Sequence, residues 1–141
     1  MQDFVFINTA QTMEKQAFTA AHELGHIWNV DSDILGELGL ENTPQNHELV
    51  INRFAAVLLI PEEEFKAVLF AEVKNLSNKD NSISLPNMYK LIVILMNFFF
   101  VPMKAIVLRM LELECLAQSD AQLLLGRTEA ASPFAITIPS P

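Results

Sequence analysis

Two histidines stand four residues apart, and a glutamate follows the first of them directly: His22-Glu23-Leu24-Gly25-His26, an instance of His-Glu-x-x-His. On an α-helix, positions four apart share a face, so both imidazoles can reach one metal ion. Glu23 then projects beside that ion rather than onto it, where its carboxylate can take a proton from a water the ion activates. The chemistry to which this spacing points is zinc-dependent hydrolysis of a peptide bond.

Two histidines do not complete a catalytic zinc site, which usually has three protein ligands and one open position. Glu48 lies 22 positions after His26, at the start of an apolar helical run. That separation leaves enough chain for a loop and an antiparallel return, and a glutamate on a second helix is the gluzincin arrangement. Glu48 is therefore the favoured third ligand. His47 competes with it, but points about 100° around the same helix. Asp31 and Asp33 could also ligate if the chain turns back. The metzincin continuation is excluded, because no third histidine stands at its spacing. Tyr89, His47 and Arg53 are candidates to stabilise an oxyanion, and the sequence does not rank them. Tyr89 also suits the edge of a core, and Arg53 a solvated or paired face. Asn52, polar within an apolar helix, either faces solvent or holds a ligand by hydrogen bonds. Trp28 reads as core or pocket wall.

The elements that must position these groups follow from the pattern around them. Residues 4–7 (Phe-Val-Phe-Ile) read as a buried strand. Thr9 or Thr12 can cap a helix over residues 13–28, which carries the motif. Gly25 is costly within that helix, and its missing side chain suits close approach of a strand or substrate beside the metal. Residues 29–45 form a connection with a short helical turn near 34–38. A second helix covers 46–59, and Pro61 both ends it and opens another over about 61–74, whose Glu62, Glu63 and Glu64 suit the positive helix end. Residues 75–84 are loop-like. Helices follow after Pro86 and after Pro102, then a turn or short strand over 120–125 and an extended tail over 128–141.

Bulk composition narrows the function classes. The chain has 141 residues, 51% of them apolar and 18% charged, which is enough for a packed core. Its net charge of −8 disfavours nucleic acid as a partner. Lys90, Lys104 and Arg109 are balanced by Glu112, Glu114 and Asp120, so the C-terminal helices do not look DNA-binding. The longest apolar stretch, residues 91–101, is interrupted by Asn97 and is too short to cross a bilayer, which takes about 20 residues. The single cysteine, Cys115, forms no internal disulfide and reads as a core residue rather than a nucleophile. No signal peptide is evident, which points to the cytoplasm.

Residues 18–26 (FTAAHELGH) resemble the FTxAHELGH signature of the ImmA/IrrE metallopeptidases. Glu48, Asn52, Phe54-Ala55-Ala56, Leu58-Leu59 and Pro61 are similar to the family's second signature, with Ile51 in place of Ala and Ile60 in place of Met. Phe6-Ile7-Asn8 looks like the strand that precedes the first signature. The resemblance is strong over residues 4–61 and weaker over 85–117, which look like the helix-turn-helix-like helices that often follow.

The resemblance implies an α+β, mainly helical fold. In it a small β-sheet packs on the active-site helix of a thermolysin-like core. It implies His22, His26 and Glu48 as ligands of one zinc ion, with Glu23 catalytic. The chain would divide into a metallopeptidase core over residues 1–75, shortened at its N-terminus, a helical segment over 76–127 and a tail. The implied partner is a protein substrate, a helix-turn-helix repressor of a bacterium or mobile element, cleaved to release silenced genes. The alternative is a metal-binding regulatory module that docks such a partner without cleaving it. The donor set alone does not select zinc over manganese or another divalent ion.

Overall fold

The computed structural model describes residues 2–126 and 135–139. Helix α1 (Met13–Ile27) starts where the Thr12 side chain accepts the backbone N–H of Lys15, at 3.3 Å, with Glu14 in the first turn. Asn29 takes a left-handed conformation, φ 53°, which asparagine tolerates better than most residues. The chain thereby re-enters a helix at once, α2 (Val30–Leu38), nine residues where the sequence suggested only a turn. Gly39 closes α2 at φ 63°. Its N–H bonds to the Gly36 carbonyl and the Leu40 N–H to the Leu35 carbonyl, the paired bonds of a Schellman end. Helix α3 (Pro44–Leu59) opens with Thr43 accepting from Asn46 N–H and Pro44 in the first turn, and it ends at Ile60, ahead of Pro61.

These three helices form one compact unit that ends at Pro61. Both α1 and α2 pack on α3. Its interior holds Ala21, Gly25, Leu35, Val50, Ile51 and Ala55. A Cβ on Gly25 would lie 2.8 Å from Phe54 Cδ1 and 3.0 Å from Ile51 Cδ1. The missing side chain therefore admits a helix, α3, rather than the strand or substrate expected from the sequence.

The expected strand at residues 4–7 is not formed. The run is exposed, with Phe4 at 75% and Phe6 at 90%. A strand must bond its backbone groups to a neighbour. Among the described residues no strand pairs with this run, so its β propensity has nothing to act on. The expected sheet on the active-site helix is corrected accordingly.

The second compact unit begins at Glu62. Helix α4 (Glu62–Leu76) belongs with the second unit. It packs on α5 (Leu85–Phe99), and the Phe65 and Phe99 rings lie 5.6 Å apart. The link between them is not all loop. Asp80 accepts from the Ser82 N–H, and strand β1 (Ser82–Ser84) follows. It pairs antiparallel with β2 (Ala135–Thr137), Ile83 opposite Ile136, and this two-stranded sheet packs on α5. Part of the expected tail is thus a strand, while residues 127–134 and 140–141 lie outside the described residues. Helices α6 (Met103–Glu112) and α7 (Gln118–Leu124) complete the unit. The turn between α5 and α6 bends the chain by 100°. Among the described residues no single helix is long and apolar enough to cross a membrane.

Candidate metal centre

His22 and His26 are one turn apart on α1, and both turn Nε2 to the same point, 3.2 Å from each other. The first turns of α3 bring Glu48 to that point. One carboxylate oxygen lies 3.4 Å from His22 Nε2 and the other 3.4 Å from His26 Nε2. Taken with a single carboxylate oxygen, the three ligand atoms lie within 4.8 Å of one another.

These separations fit a metal ion. Nitrogen and oxygen ligands about 2.0–2.1 Å from a tetrahedral zinc are separated by about 3.3–3.4 Å along each edge. The His22–His26 separation and each 3.4 Å contact match such an edge, with the two contacts made by different oxygens of Glu48. The cluster is accessible: the His22 and His26 side chains are 18% and 35% exposed, and Glu48 55%. Two imidazoles and one carboxylate suit zinc and accept other divalent ions.

A hydrogen bond to α3 orients the first of the rings. His22 Nδ1–H donates to Asn52 Oδ1 at 2.8 Å, which turns the Nε2 lone pair toward His26 and Glu48. Asn52 stands one turn after Glu48 on α3, so the helix that brings the carboxylate also orients the first histidine. Glu23, beside His22, is half-buried in α1.

His47 lies outside this cluster. Its Nδ1 donates to Asp31 Oδ2 at 2.6 Å, and its Nε2 is hydrogen-bonded to Asn42 Oδ1. Asp31 is buried, at 8% exposure, in the first turn of α2. Burial pushes its carboxyl up, but the hydrogen bond from His47, with a backbone bond from Ser32, outweighs that and holds it below the usual carboxylate range. Asp33 is exposed on α2, and Arg53 is exposed on α3. Tyr89 belongs to the second unit, on α5, beside a cavity lined by Leu76, Pro86, Lys90, Val93 and Ile94. Trp28, read from the sequence as core or pocket wall, is instead exposed at the end of α1, with its ring edge-on to Phe54 and the centroids 6.1 Å apart.

The Asp31–His47–Asn42 chain was not foreseen as a unit. Each partner comes from a different stretch of sequence, and no spacing rule links them. The one available signal was a carboxylate close behind the HELGH motif.

No curated protein and no solved structure gives a significant match to the chain. The family model described as the IrrE N-terminal-like domain, of the Peptidase M78 family, matches residues 2–111. With well over half its length matched, the chain belongs to the IrrE N-terminal-like family of peptidases.

Proposed function

We propose that this chain is a zinc-dependent endopeptidase of the gluzincin type whose substrate is a protein, a helix-turn-helix transcriptional repressor. The observation that carries the reading is the cluster of His22, His26 and Glu48, with Glu23 one residue from a ligand on the same helix. His22, His26 and Glu48 would hold the metal ion, which would supply Lewis acidity toward a water and a scissile carbonyl. Glu23 takes the proton released as that water attacks, and passes it to the departing amine nitrogen. Asn52 keeps His22 in the tautomer whose Nε2 is free to ligate. The repressor as substrate, and with it a cytoplasmic site of action, rests on what the family resemblance implies.

The experiment is incubation of the chain and its Glu23→Gln variant with candidate helix-turn-helix repressors from the same genome. The variant is expected to bind zinc as the parent does and to cleave about 100-fold more slowly or worse. Full cleavage by Glu23→Gln would overturn the assignment of Glu23.

A further inference from the structure

We propose that Asp31 is the positioning residue of His26, its carboxylate facing the Nδ1 edge of the ring at ion-pair distance, a longer contact than the hydrogen bond between His22 and Asn52. This rests on the metal-centre reading above. His26 turns Nε2 to the ligand cluster, which leaves Nδ1 on its far edge, and Asp31 Oδ2 lies 3.9 Å from that atom. Histidines that bind metals almost always present the other ring N–H to a carboxylate, carbonyl or water, and such partners fix the tautomer and strengthen the ligand.

Burial of the carboxylate supports the same assignment. An ionised group in so enclosed a place is costly unless it is paired. Asp31 Oδ2 faces two imidazole edges, with His47 at 2.6 Å on one side and His26 on the other. His47, tied to Asn42, fixes the direction of the carboxylate toward α1. The backbone assists, because Asn29 in its left-handed conformation turns the chain so that the second residue of α2 comes back beside the last turn of α1. A tether between α2 and α3 alone would need only the His47 bond. The approach of the same oxygen to His26 is what gives Asp31 a part in the metal centre.

The test is zinc affinity by chelator competition, together with melting of the metal-free protein, for the parent, Asp31→Asn, Asp31→Ala and Thr43→Ala. Thr43→Ala removes the α3 cap and touches no ligand, so it controls for lost stability. Both Asp31 variants are expected to bind zinc about 10- to 100-fold more weakly, and Thr43→Ala within about threefold of the parent. If the Asp31 variants lose no more affinity than Thr43→Ala, Asp31 is a tether only and the proposal fails. If the parent itself binds no zinc, the metal-centre reading fails with it. Should the Asp31 variants not fold, NMR of the zinc-loaded parent decides. A His26 Nδ1 proton protected from water exchange supports the assignment, and a freely exchanging one overturns it.

Discussion

Two glycines in the first unit should answer the same substitution in opposite ways. Glycine within a helix is about 1 kcal/mol less favourable than alanine, so Gly→Ala gains that much where space allows. Around Gly36, on the exposed side of α2, nothing lies within 4 Å of an added Cβ. Gly36→Ala should therefore stabilise by about 0.5–1 kcal/mol. At Gly25 the added Cβ meets Phe54 Cδ1 at 2.8 Å, Ile51 Cδ1 at 3.0 Å and Phe54 Cε1 at 3.3 Å. Ile51 is fully buried and the Phe54 ring is stacked against Trp28, so neither can simply swing aside. Overpacking of this kind costs about 1–3 kcal/mol. Set against the propensity gain, the net is a loss of about 0–2 kcal/mol, and the two variants should differ by about 1–3 kcal/mol. Trp28 is the only tryptophan and sits on Phe54, so its fluorescence during urea unfolding reports on this unit. Because Gly25 sits between the two histidines and α3, relief of the clash by separation of α1 from α3 should also weaken zinc binding. Gly25→Ala as stable as Gly36→Ala would refute the packing argument.

Asn52→Ala should keep the fold and weaken zinc binding by about 10- to 100-fold, measured by chelator competition, because it frees the His22 ring. Cys115 is buried, and burial pushes its thiol up. Alkylation by iodoacetamide at pH 8 should be slow in the native protein and fast in denaturant, a contrast that equal rates would rule out. Burial also raises the Asp120 carboxyl. A carboxyl raised in the folded state binds its proton more tightly there than in the unfolded chain. Its contribution to stability is therefore full below the unfolded value, near 3.8, and is lost as pH rises through the folded one. Asp120→Asn should accordingly gain on the parent between about pH 3 and pH 7 in melting experiments, and a constant difference across that range would contradict the burial argument.

The helices were legible where local chemistry specifies them. Thr12 caps α1, Pro61 separates α3 from α4, and Pro86 stands in the first turn of α5. The pairing of His22 with His26 follows from helical spacing alone. The approach of Glu48 does not, since it depends on how α3 packs on α1 through Gly25, and the sequence could offer only enough chain to allow it. Residues 4–7 show the limit of reading propensity locally: a strand is a property of two segments, and this one has no partner among the described residues. Strand β1 hid for the converse reason. Its sequence, Ser-Ile-Ser, carries one apolar residue, and its partner lies some fifty positions on, in what reads as a tail. Likewise, α2 gains a turn over expectation because Asn29 takes a backbone conformation that composition does not announce. Asp31 and His47 were each visible as alternative ligands, but only the fold turns them toward one another.

The most direct test of the metal centre is a zinc titration of the metal-free parent and its Glu48→Gln variant, read by calorimetry. The account predicts one ion per chain for the parent. It predicts a markedly weakened site in the variant, which keeps the side-chain volume and loses the charge of the carboxylate that faces both His22 and His26. Equal zinc affinity in the two proteins would contradict it.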